Sequence, residues 1–122
     1  MLELLLRTPA GANIERRLFT ARETVHAPHL IDVEVAQVLR RYALRGDIAA
    51  TRGLEALDDL EALSLYRYPH EFLLPRVWEL RGNLTAYDAV YVALAETLGA
   101  PLITCDRRLA AAAGVRARIE LA

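Results

Sequence analysis

Apolar and polar positions recur with two different periods along this chain, and the switches between them mark its elements. From His29 to Arg45 the apolar residues Ile31, Val35, Val38, Leu39 and Tyr42 fall at i, i+4, i+7, i+8 and i+11, one face of a long helix that Gly46 caps. Asp47 to Leu60 carries Ile48, Leu54, Leu57 and Leu60 and predicts a second helix with Asp47 as its N-cap. Upstream, Met1–Leu6 reads as the end of one helix and Ala12–Ala21 as another, with Ile14 and Leu18 at helical spacing. Period-two stretches alternate with these. Residues 24–27 form a short candidate strand ended by Pro28, and residues 63–68 alternate Leu63 and Leu65 with Ser64, Tyr66 and Arg67 up to Pro69. His70 to Arg81 predicts helical turns on either side of a break or fresh start at Pro75, with Leu74, Val77 and Trp78 as core.

The second half is more apolar. Gly82-Asn83 is a turn, and Thr85-Ala86-Tyr87-Asp88 opens AVYVALAETLG, a helix apolar on nearly every side except Glu96 and closed by Gly99. Leu102, Ile103 and Thr104 form a short strand, Asp106 follows, and RRLAAAAG predicts another helix before an edge strand at residues 116–121. Helices and strands alternate throughout, which predicts an α/β domain with a mostly parallel sheet. In such a sheet a strand ending at Thr104 carries Asp106 into the crevice where ligands bind.

Two aspartates therefore open two helices, and each has a purely structural explanation. Thr85 and Asp88 have the spacing of a capping box, and Asp106 is a good N-cap. Glu34 lies on the flank of the apolar stripe of its helix, so its carboxylate starts near the core and needs a partner, an arginine salt bridge being the plain choice. Asp32 is accounted for by its helix start. The patch Asp58, Asp59, Glu61 reads as a solvated helix end, because adjacent helical positions face different directions.

Composition narrows the chemistry. The 122 residues are 54% apolar, enough for one domain, 1–122, with a core of its own. The net charge of −1 gives no broad basic field, so any nucleic-acid contact has to be local. All 15 basic residues are arginine, which excludes lysine-dependent chemistry, including the usual amine of a phosphoacceptor domain. The single cysteine, Cys105, permits no internal disulfide, suits a reducing cytoplasm and is expected to pack as a small hydrophobe at the strand end. His26, His29 and His70 are scattered without the spacing of a zinc site. No apolar run approaches a membrane span, and the start lacks the regions of a signal peptide.

The strings TAYDAVYVALAE and LITCDRRLA, with PHLIDVEVAQVLRR upstream, closely resemble the PIN-domain ribonucleases, specifically the VapC-type toxins of bacterial toxin–antitoxin pairs. The resemblance runs from Met1 to about the C-terminus. It implies a three-layer α/β sandwich with a central sheet flanked by helices, and metal-dependent endonucleolytic cleavage of RNA. By motif, Glu34, Asp88 and Asp106 match three members of an acidic cluster that holds Mg²⁺ or Mn²⁺. In that scheme Thr104 steadies Asp106 and Arg107 and Arg108 can touch RNA phosphates. The implied partners are a VapB-type antitoxin and a second copy of the chain, in the cytoplasm. The family begins with a strand ending in a further aspartate, whereas this chain begins inside the helix that follows. The expectation is an upstream start with roughly 10 more residues, about a strand and a turn. A competing expectation is an antitoxin-binding and dimerising module whose activity is impaired without that first acid.

Overall fold

A computed structural model of the chain describes residues 24–121, so the helices expected at Met1–Leu6 and Ala12–Ala21 lie outside the described residues. The chain divides into two compact units between Tyr66 and Arg67. In the first, strand β1 (Val25–Pro28) leads into α1 (Leu30–Leu44) and α2 (Ala50–Ala62). The predicted stripe is what buries α1: Ile31, Val35 and Leu39 face inward and α2 packs against them with Gly53, Ala56 and Leu60. Ala56 is fully buried at this contact, while Gly53 has only the Ile48 side chain beside it. Strand β2 (Leu65–Tyr68) pairs with β1, and Tyr66 stacks on His26 with ring centroids 5.1 Å apart.

The predicted N-cap of α2 is corrected. The cap is Ala49, in extended conformation and without a side-chain bond, because Asp47 belongs to the turn that closes α1. There Gly46 takes a left-handed φ of 79°, the Asp47 N–H donates to the Tyr42 carbonyl, and the Asp47 carboxylate pairs with Arg45 at 3.2 Å.

In the second unit, a 3₁₀ turn (Glu71–Leu73) runs into the short helix α3 (Leu74–Glu79), with Pro75 in its first turn where a missing N–H costs nothing. Then come α4 (Ala86–Leu98), β3 (Leu102–Thr104), α5 (Arg107–Ala110) and β4 (Ile119–Leu121). β3 and β4 are parallel, with Leu102 opposite Ile119 and Thr104 opposite Leu121. The core of this unit gathers Leu73, Val77 and Leu80 against Ala89, Val90, Val92, Ala93 and Leu94 of α4, with Leu109 of α5. Each of the leucine and valine side chains contributes about 1.5–3 kcal/mol by leaving water, and the alanines less.

Three further expectations are corrected in this unit. Trp78 is 68% exposed and Leu74 is exposed too, since a six-residue helix has a single inward line and Leu73, Val77 and Leu80 occupy it. The guanidinium of Arg81 lies over the Trp78 ring, 4.7 Å from its centroid. Cys105 is exposed in the turn after β3 instead of packed. The helix expected through RRLAAAAG stops at Ala110. Beyond it the carbonyls of Ala113 and Gly114 accept from Asn83 Nδ2 at 3.0 Å and Arg76 Nη2 at 2.7 Å, and these tertiary bonds replace a helical ladder.

Candidate active site

Asp88 stands in the first turn of α4. Thr85 caps that helix with Oγ1 accepting the Asp88 N–H at 3.2 Å, so half of the predicted capping box forms. The other half does not form. The Asp88 carboxylate is half-buried, and it accepts no hydrogen bond among the described residues.

Asp106 follows β3 and caps α5. Its Oδ1 accepts from the N–H groups of Arg108 at 2.8 Å and Leu109 at 3.4 Å, while its own N–H donates to Thr104 Oγ1 at 3.0 Å. Thr104 therefore holds the Asp106 backbone and the helix start holds one carboxylate oxygen, which fixes the rotamer and leaves Oδ2 outward. The side chain is exposed.

Local topology brings these two acids to one end of the unit. Gly99 ends α4 in a left-handed conformation, φ 63°, and after Ala100 and Pro101 the chain returns as β3 packed against α4. Asp88 lies eleven positions before Gly99, about 16 Å along a helix. Asp106 lies seven positions after it, about 20 Å of extended strand and turn. Arg107 and Arg108 are exposed at the same end, and neither guanidinium has a carboxylate partner among the described residues. Glu34 lies in the first unit, half-buried on α1 beside the Ile31–Val35 line. Among the described residues no three His, Cys, Asp or Glu side chains form a metal-sized group.

At the other end of α4 is an interaction that periodicity alone did not assign. Arg76 donates from Nε and Nη2 to Glu96 at 2.7 and 3.1 Å, with side chains only 19% and 12% exposed, and Glu96 Oε1 also accepts the Arg116 N–H at 2.8 Å. The Arg76 hydrogen bonds, against the opposing effect of burial, hold the Glu96 carboxyl below its ordinary value of 4.5. The signal was present in the sequence, where Glu96 is the lone charge in an otherwise apolar stretch. An open pocket of about 550 Å³ beside it, lined by Glu96, Gly99, Pro101 and Arg116, is remote from Asp88.

A two-unit α/β chain with acids after a parallel strand and at a helix start defines a class, and sequence comparison gives the family. Residues 1–115 match the PIN domain, and the chain belongs to the PIN-domain family, with the VapC-type ribonucleases as its near relatives. It is 47% identical over 119 residues to ribonuclease VapC12 of Mycobacterium tuberculosis, covering 98% of this chain and 91% of that protein. Ribonuclease VapC9 of the same organism is 48% identical over 95 residues (78% and 75% covered), and ribonuclease VapC1 is 50% identical over 97 residues (79% and 73% covered). No helix among the described residues is long and apolar enough to cross a membrane.

Proposed function

We propose that this chain is a divalent-metal-dependent endoribonuclease, the toxin of a toxin–antitoxin pair, in which residues 1–122 act as one domain. The observation that carries the site assignment is the Asp88 carboxylate, half-buried and without a hydrogen bond among the described residues, at the same end of its unit as Asp106. A carboxylate kept partly from water with no partner is costly unless something positive completes it. Hard oxygen donors suit Mg²⁺ or Mn²⁺, and Mg²⁺ is commonly bound by one or two carboxylates with water and substrate phosphate filling the rest. When bound, the ion supplies positive charge where negative charge grows on the phosphate.

The protein's own contribution is positioning. Asp88 presents its oxygens from a helix start held by the Thr85 cap, and Asp106 presents Oδ2 while Oδ1 is fixed by two N–H groups. Arg107 and Arg108 are the proposed phosphate contacts. Glu34 is proposed as a further acid of the same activity on its motif match alone. A VapB-type antitoxin, a homodimer and a cytoplasmic location complete the reading, as the likeness to VapC-type ribonucleases supports.

Cleavage of a mixed structured-RNA pool tests it, with Mg²⁺, with Mn²⁺ and with chelator, for the 122-residue chain and for a version extended by its upstream codons. Cleavage that disappears with chelator, and falls at least 100-fold by order of magnitude in Asp88→Asn and Glu34→Gln, is expected. RNA left intact by both folded forms in either metal would overturn the nuclease reading. Cleavage undiminished in Asp88→Asn would overturn the site.

A further inference from the structure

The 3₁₀ turn and α3 give one line of side chains to the core and leave a second line exposed. Leu73, Val77 and Leu80 make the buried line. Glu71, Leu74, Trp78 and Arg81 recur at i, i+3, i+7 and i+10, the spacing of a coiled-coil seam. At 3.6 residues per turn they fall within about 80° of one another. The helical path holds over that length, since the Leu73 N–H donates to the His70 carbonyl and the Leu80 and Arg81 N–H groups donate to the Arg76 and Trp78 carbonyls. All four are exposed, Trp78 to 68% and Leu74 to 52%. Phe72, exposed as well, falls outside this line.

The line matches its own reverse. Its midpoint is position 76, with Leu74 and Trp78 two positions to either side and Glu71 and Arg81 five positions to either side. Across a twofold axis, residue i meets j and j meets i. Two copies of α3 laid antiparallel therefore set Leu74 of each against Trp78 of the other, and Glu71 of each against Arg81 of the other. Neither Glu71 nor Arg81 has an ion-pair partner in its own chain among the described residues. Arg81 is already held at the seam, its guanidinium over the Trp78 ring and its Nη1 donating to the Trp78 carbonyl at 2.9 Å. Glu71 disfavours an anionic strand here, and the match of each end to the other singles out a second copy among protein partners.

Resting on the homodimer reading above, we infer that the two copies meet through α3, with the Leu74–Trp78 contacts as apolar centre and the two Glu71–Arg81 pairs as rim. A buried tryptophan at the centre carries much of the energy of such a contact, while the rim charges set its register and partner.

Sedimentation velocity of the 122-residue chain over a dilution series tests this, with far-UV circular dichroism to show that each variant is folded. Trp78→Ala should raise the dimer dissociation constant by about 10-fold or more. Glu71→Arg and Arg81→Glu each set like charges against one another at both ends and should weaken the dimer, and the two together should restore it. Within one copy these positions lie about 15 Å apart along the axis, too far to pair, so the rescue reports on contact between copies. An unchanged dissociation constant in Trp78→Ala, or no rescue in the double variant, would overturn the inference and leave the homodimer standing. Unchanged dimers that instead lose a co-expressed antitoxin would assign the face to that partner and overturn it too. A wild-type chain that stays monomeric at every concentration would overturn the homodimer reading itself, so the two failures are told apart.

Discussion

At the scale of single residues, Asp106 carries two duties that substitution can separate. Its Oδ1 caps α5 through the Arg108 and Leu109 N–H groups, and its charge belongs to the proposed metal site. Asparagine preserves an N-cap oxygen and removes the charge, whereas alanine removes both. Asp106→Asn should therefore lose RNA cleavage with thermal stability nearly intact. Asp106→Ala should lose cleavage and about 1 kcal/mol of stability, read by denaturant melts alongside the activity assay. Equal destabilisation in the two variants would mean that the cap is not what Oδ1 supplies. Asp88 is a cleaner case, because only its backbone N–H enters the capping of α4 and its carboxylate carries no structural bond among the described residues.

At the scale of elements, the Arg76–Glu96 pair ties α3 to α4 and, through the Gly114 carbonyl and the Arg116 N–H, to the segment leading into β4. Removing one partner of a largely buried pair leaves the other charge uncompensated, so Glu96→Ala should cost roughly 3 kcal/mol in a urea melt, while Glu96→Gln keeps hydrogen bonding and costs less. The sign of its pH dependence follows from the lowered carboxyl. Its stabilisation is present above the ordinary value of 4.5 and is lost as pH falls below that and through Glu96's own lower value, so wild type and Glu96→Gln should converge in stability toward acid. A gap between them that stays constant down the acid limb would remove the pair from that role. Elements were legible where the signal was local. The α1 stripe, the Thr85 and Asp106 caps, the Gly99 stop and the Leu102–Thr104 strand all lie within a few residues of their cause. What was missed depends on distant partners: α5 ends early because Asn83 and Arg76 take the carbonyls of Ala113 and Gly114, and Trp78 faces out because a short helix had no second inward line to give it. The acids themselves were assigned by motif, because spacing does not distinguish a capping aspartate from a catalytic one; in the structure Asp106 caps α5 through Oδ1, and the Asp88 carboxylate carries no bond among the described residues.

At the scale of the whole molecule, the charge balance limits how RNA can be held. Fifteen arginines face sixteen acids, so attraction must come from the few cations that are not neutralised in place. In the second unit Arg76 and Arg118 pair with Glu96 and Glu120, and Arg81 is spent on Trp78, whereas Arg107 and Arg108 stand open beside Asp106. Each phosphate neutralised on a single strand contributes a slope of about −0.7 to log K against log salt. Two such contacts give a slope near −1.4, shallow beside a basic nucleic-acid binder. Titrating a looped RNA with chelator present should show that slope in wild type, and Arg107→Ala with Arg108→Ala should flatten it to nearly zero. A steep slope that survives loss of both arginines would move the phosphate contacts elsewhere, with Arg116, exposed but already beside the Glu96 carboxylate that accepts its N–H, the next cation to remove.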